Sequence, residues 1–302
     1  MSKNALSPDN ARLRQSATGE HLTTADRNAR ACWQNGSSVL PEVPSDQRWL
    51  EARFLIALSS LKYVDVHPGS HPGCELLRVE PHADHLLVKF DPAWDLSDLA
   101  ARILPSTDRR DGYVSGIPGL RFRTQPRGVS LYVPGFDATI VLDRVSEKAW
   151  QSAISRAFVE VDPLLLLWSQ SPERVTEAEA DRLSEWPHPR PASLDLASIL
   201  LRRIRTLEIL RPLSVHAWPA RRQELHVEVW VMEHDPDLAD ALITTMTDPR
   251  LAPQLQFVER DRTWLEFESP SGGRIVVRVE LHPDSPAAAA LREPRAPISR
   301  PQ

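Results

Sequence analysis

Lysine is nearly missing from this chain. Lys3, Lys62, Lys89 and Lys148 are the only four, so arginine carries almost all of the positive charge. Together with 27 prolines, this usage is that of a high-GC bacterial genome and carries no functional weight. Cysteine is scarcer still. Cys32 and Cys74 are the only two, too few for a disulfide framework, which fits a reducing cytoplasm. The longest apolar runs, Leu164–Trp168 among them, are five residues long. That is far below the roughly 20 needed to cross a bilayer. The stretch Met1 to Pro8 holds no apolar core of the kind a secretory signal needs. The expectation is a soluble, cytoplasmic protein with no membrane partner.

A dominant charge is also lacking. The net charge is -5 and the pI about 6.1, so no large electrostatic footprint marks a dedicated nucleic-acid binder. Catalytic signatures are missing as well. The chain has no G-x-x-x-x-G-K-[ST], G-x-G-x-x-G, H-E-x-x-H or G-x-S-x-G, which removes the phosphate loop, the dinucleotide fingerprint, the zincin helix and the nucleophile elbow. The reading leans away from an enzyme.

What is present is globular. Over 302 residues the chain is 41% hydrophobic and 25% charged, enough for about two domains. Residues 1–46 are polar and read as a partly disordered tail with two short helices. Ser7, Pro8 and Gly19 punctuate the first, Thr24 and Gly36 the second. The alternative is a peptide that docks on a partner or on its own domain. Residues 47–160 form a first α+β unit. A helical and proline-rich connector spans 161–192, ending in Trp186-Pro-His-Pro-Arg-Pro191. A second α+β unit covers 193–292, and 293–302 form a disordered C-terminus.

The two units read as one arrangement used twice. Val64-Asp65-Val66-His67-Pro68 aligns with Leu213-Ser214-Val215-His216-Ala217. Asp95-Leu96-Ser97-Asp98-Leu99 aligns with Asp237-Leu238-Ala239-Asp240-Ala241. The hairpin around Pro134-Gly135-Phe136-Asp137 aligns with that around Ser269-Pro270-Ser271-Gly272-Gly273. Each match is weak alone, and their common order carries the inference. The fold expected is α+β: two tandem, duplicated αββαβββ units. Alternation such as Leu225, Val227, Val229 and Val231 predicts mostly antiparallel sheets covered by helices on one face.

Three groups of residues could carry chemistry. His67, His71, Cys74, His82 and His85 follow H-x3-H-x2-C and then H-x2-H around Asp84. Imidazole and thiolate suit zinc, although the spacing matches no standard site. Arg109, Arg110, Arg121, Arg123, Arg202 and Arg203 could grip phosphates of a nucleic acid or another anion. The carboxylate pairs Asp95/Asp98 and Asp237/Asp240 fit helix caps better than acid/base chemistry. Nine tryptophans either fill cores or, where exposed, mark a partner surface. The leading expectation is a non-catalytic interaction or regulatory protein that binds a protein partner through the groove or a sheet surface of a pseudo-symmetric scaffold. A metal-dependent enzyme or sensor built on His67–His85, with zinc as cofactor, and an arginine-mediated nucleic-acid accessory protein are the alternatives.

Overall fold

The computed structural model describes residues 8–35, 38–59, 76–107, 112–159, 161–162, 165–170, 173–184, 192–261, 263–282 and 285. Two helices open it, α1 (Pro8–Thr18) and α2 (Leu22–Asn35). The first unit follows as α3 (Ser45–Ser59), β1 (Leu76–Pro81), β2 (Leu86–Phe90) and α4 (Leu96–Ile103). A small ladder of β3 (Ser106–Thr107) and β4 (Val114–Ser115) precedes β5 (Arg121–Gln125), β6 (Gly128–Tyr132) and β7 (Thr139–Asp143). Three helices lead out of it: α5 (Glu147–Ala157), α6 (Leu167–Gln170) and α7 (Glu177–Ser184). The second unit is α8 (Ala192–Arg202), a 3-10 helix (Ile204–Leu210), β8 (Ser214–Arg221), β9 (Glu224–Val231), α9 (Pro236–Met246), β10 (Gln256–Arg260), β11 (Trp264–Glu268) and β12 (Arg274–Leu281).

The αββαβββ order expected from the sequence is therefore present twice. The strand orders match too: β1-β2-β7-β6-β5 in one sheet and β8-β9-β12-β11-β10 in the other. In each, the last strand made takes the centre. It runs parallel to the second strand, β7 beside β2 and β12 beside β9, while every other pairing is antiparallel. Alternation explains the two faces. Leu225, Val227, Val229 and Val231 of β9 are buried, and Glu224, His226, Glu228 and Trp230 point the other way, half-buried. Gly128 is required where β6 begins, since a Cβ there would lie 1.9 Å from the Leu142 carbonyl oxygen.

Helix ends follow local chemistry. Asp95 caps α4 by accepting the Ser97 N–H at 2.9 Å, and Ser146 caps α5 through the Ala149 N–H. The cap of α9 is Asp235 with Pro236 at the first position, two residues before the Asp237 expected from the sequence. Thr176 and Glu179 close a capping box on α7: the Thr176 N–H donates to Glu179 at 2.8 Å and the Glu179 N–H to Thr176 Oγ1 at 3.4 Å. Leu196, Ile199, Leu200, Ile204 and Leu207 read as one helix over 194–210, but it breaks at Arg202. There the backbone tightens to 3-10 geometry, and the Arg203 carbonyl accepts both the Thr206 N–H at 2.9 Å and the Thr206 hydroxyl at 2.8 Å.

The units share one continuous core, from Trp49 and Phe54 through Trp150 to Phe267 and Val277. Helix α3 is buried over most of its surface and buries Trp49, Leu50, Ala52, Phe54, Leu55 and Leu58 together with the polar Gln47 and Glu51. It packs on α8. It also reaches β8, and α8 reaches β1, the reciprocal contact that an approximate two-fold relation produces. Gln47 ties α3 to β7 by accepting the Thr139 N–H at 2.8 Å and donating to its carbonyl at 3.1 Å.

Within the first 46 residues, 8–35 form the two short helices read from the sequence. They pack on each other and dock on the chain's own body, the alternative weighed there. Helix α1 lies against the 3-10 helix of the second unit and against β1 of the first. Gly19 lets the backbone pass β1 so closely that a Cβ would stand 2.6 Å from the Leu77 carbonyl oxygen. The expected strand at 63–67, the caps Ser7 and Ser171, the connector 186–191 and the tail 293–302 lie outside the described residues.

Candidate functional site

The histidine cluster is divided by what the structure describes. His67, His71 and Cys74 lie outside the described residues. His82 and His85 sit at the two ends of the β1–β2 turn, closed by the His82 N–H on the His85 carbonyl at 3.0 Å. Their rings stack, 4.2 Å apart and 8° from parallel. His85 Nδ1 is 2.8 Å from Asp84. Burial, followed by the positive fields of His85, Arg14 and Arg202, pulls the His82 ring down to about 4, so His82 is neutral at physiological pH. Glu80 comes no nearer to it than 4.0 Å. Among the described residues no group of three or more His, Cys, Asp and Glu side chains is placed to hold a metal.

The arginine group is not a surface patch. Arg109 and Arg110 lie outside the described residues. Arg121, Arg202 and Arg203 are buried, and each is spent on an internal acceptor, which corrects the expectation that they meet phosphates. Arg121 donates to Glu179 through both terminal nitrogens, at 2.9 and 2.8 Å, and to the Arg174 carbonyl at 2.7 Å. Arg202 crosses the seam between units to Glu51. Among the described residues no carboxylate reaches Arg203. It donates to the carbonyls of Met246, Leu251, Ala252 and Pro253 at 3.0–3.4 Å, and burial lowers it to about 10. Arg123 alone of the described four is exposed, and its guanidinium lies 4.2 Å over the Tyr132 ring.

A second buried network lies where α1 meets the end of β1. Arg14, fully buried, donates to Glu20 at 2.6–3.1 Å, to the Val39 carbonyl at 2.7 Å and to the Pro81 carbonyl at 2.9 Å. Cys32 Sγ is 3.6 Å from Arg14 Nη1. Burial pushes the Cys32 thiol up, which keeps it protonated and unreactive as a nucleophile.

The acid pairs are structural, as the sequence suggested. Asp95 caps and binds Arg156 at 2.8 Å; Asp98 meets Arg102 at 3.3 Å; Asp240 meets Arg260. A shallow hollow of about 370 Å³ lies at the start of α4, between Trp94, Asp95 and Arg156. Another of about 550 Å³ lies at the start of α9, beside His234, Pro236, Arg260 and Asp261. The first is walled by the Asp95–Arg156 ion pair, and the second by Arg260, already paired with Asp240.

The feature that stands out is one edge of the second sheet. Every residue of β10 is exposed. Phe257 and Val258 are 39% and 45% accessible, and Trp264 on the neighbouring β11 is 46%. The equivalent edge strand of the first unit, β5, is buttressed at its first residue by the 174–179 segment through Arg121. Trp218 is also exposed, on the opposite edge strand β8, while Trp230 is half-buried.

No protein-family model, no curated protein and no solved structure matches the chain. The site therefore stands on its geometry.

Sequence reasoning offered the docking of the N-terminal segment only as an alternative and did not find the bare β10 edge. The only signal for the edge was tryptophan on β11. The signal for the docking was Gly19, whose positive φ of 73° marks a close approach as well as a helix end.

Proposed function

We propose that this protein is a non-catalytic interaction protein that binds a protein partner on the β10–β11 edge of its second unit. The exposed Phe257, Val258 and Trp264 carry the reading, Phe257 beside Phe267 on the inner face of the edge and Trp264 on the outer. Exposed aromatic and branched side chains on one sheet edge are the composition of a binding hot spot, whereas a solvated edge is blunted with charge. A bulge between Phe257 and Glu259 interrupts the β10–β11 ladder. It guards against uncontrolled strand pairing and leaves recognition to the side chains. Glu259 and Arg260 supply the polar rim that such a patch needs.

The charged alternatives draw less from the fold. Three of the four described arginines that would meet a nucleic acid are internal struts.

The test is co-purification of the full chain from its native cells beside Phe257→Asp/Trp264→Ala. Phe257 packs edge-on against the buried Phe267 at 6.0 Å, so the urea midpoint of the variant is measured alongside, and lost recovery counts only where the variant stays folded. A protein retained by wild type and lost by the variant supports the reading. Equal recovery from both, or no bound protein with either, overturns it.

A further inference from the structure

The groove between the two units, a natural place for a partner, is already filled by the chain itself. Helix α1 lies across the seam, on the 3-10 helix of one unit and on β1 of the other. What holds it there differs in kind from the core beneath. The buried apolar residues of α1 and α2 are Ala11, Ala17, Ala25 and Ala29, which withdraw little apolar surface each. Ala17 and Ala29 enter a small cluster completed by Val39, Leu40, Leu251 and a half-buried Leu13. The rest of the contact is polar and buried: Asn10, Arg14, Thr18 and Glu20. Arg250 reaches Asn10 at 3.0 Å from the loop after α9. Arg14 reaches the backbone of β1 and of the linker.

An interface of alanines and hydrogen bonds resembles a transient contact between domains more than the inside of one. Its acceptors on the body, the carbonyls of Val39 and Pro81, would be solvated by water once α1 left. The body itself, built on α3, α8 and the two sheets, keeps its own continuous core without α1 and α2.

We propose that α1–α2 is a displaceable strap, an in-chain ligand over the seam, and that the seam accepts in its place a helix of a partner protein with the same chemistry: an alanine-rich face carrying one arginine that reaches the Pro81 and Val39 carbonyls. The tether gives the strap an effective concentration of about millimolar, so a free helix competes only when the strap is loosened. This reading is independent of the β10 edge.

The probe is a fluorescent synthetic peptide of residues 8–35, titrated into the full chain and into full-length Arg14→Met. The expected result is binding at least about ten-fold tighter to Arg14→Met than to wild type, and loss of that binding when the peptide itself carries Arg14→Met. Equal affinity for the two chains, or none for either, overturns the proposal. Should Arg14→Met fail to fold, native-state hydrogen exchange on the wild type decides. Amides of α1 and α2 exchanging at least about ten-fold faster than those of α3 and α8 support a strap. Exchange of all four helices together shows one indivisible body and overturns it.

Discussion

Arg202, near the end of the second unit's first helix, holds Glu51, in the middle of the first unit's first helix, with two nitrogens each 2.7 Å from a carboxylate oxygen. Ser198 adds a hydrogen bond of 2.6 Å and Gln47 one of 2.8 Å to the same carboxylate. The remaining reach of Arg202 goes to the carbonyls of Pro41 and His82, at 3.0 and 2.9 Å. One ion pair thus joins α3, α8, the linker after α2 and the β1–β2 turn. The Glu51 side chain has no solvent exposure and that of Arg202 is 6% exposed.

Breaking that pair from one side leaves a buried charge alone. Glu51→Gln or Arg202→Met should each lower stability by about 3–5 kcal/mol in urea unfolding. The double replacement Glu51→Met/Arg202→Met should recover a large part of the loss, because neither charge is then stranded. A double variant no better than the sum of the singles would show that the pair does not act as a unit.

The second buried pair controls a different segment. Burial pushes the Glu179 carboxyl up, but the Arg121 guanidinium and the Thr176 N–H outweigh it and leave Glu179 below its usual range. A depressed carboxylate contributes stability above its unfolded value, near 4.3, and loses it as pH falls through the folded value. Acid should therefore release residues 173–184 before the sheets open, and Glu179→Gln should release them at neutral pH. Hydrogen exchange of the α7 amides reads both. Unchanged protection in Glu179→Gln would contradict the role given to this pair.

His82 adds a loss in the same direction. Its folded value of about 4 lies below that of a free imidazole, near 6.5. The unfolded chain binds the proton first, so stability is lost as pH falls from about 6.5 to about 4 and the loss then levels off. The ring is 32% exposed, and after allowance for solvent screening the effect is on the order of 2 kcal/mol. His82→Asn should flatten urea midpoints measured between pH 7 and 4. A slope identical to wild type would assign the effect to other groups.

Arg203 is a test of shape. One guanidinium spans four carbonyls around the end of α9 and the loop after it, a fork that a single ammonium does not reproduce. Arg203→Lys should cost about 2 kcal/mol or more, from the carbonyls it leaves unpaired. It should also loosen Ser38 and Val39, which bond the Arg250 carbonyl in that loop at 3.0 and 2.8 Å. Thermal unfolding together with exchange at Val39 checks both parts.

Much of this architecture was readable from the chain. The recurrence of Leu50, Phe54 and Ala57 reads as a helix where α3 lies, and Asp95 and Ser146 read as the caps they are. The repeated order of elements gave two units whose strand orders agree. The misreadings share one physical cause. Charges such as Arg14, Glu51, Arg121 and Arg202 are indistinguishable in sequence from solvated surface charges, because what buries them is a partner far along the chain. Alanine has the same weakness: Ala11, Ala17, Ala25 and Ala29 form no apolar stripe by size, yet they let helices approach closely. The bare β10 edge was hidden because exposure depends on which strand ends up outermost, and local pattern does not specify that.

Strand order also governs how the chain is made. The middle strand of each sheet is the last of its unit to be synthesised: β7 closes between β2 and β6, and β12 between β9 and β11. A nascent chain that has emerged only to Pro134 holds the β1–β2 hairpin and the β5–β6 hairpin as two separate ribbons, each with an open inner edge. Neither sheet can zip from one end, and such long-range closure is slow and exposed to mispairing. The first unit thus has no joined five-stranded sheet until Thr139–Asp143 is made, and the second none until Arg274–Leu281.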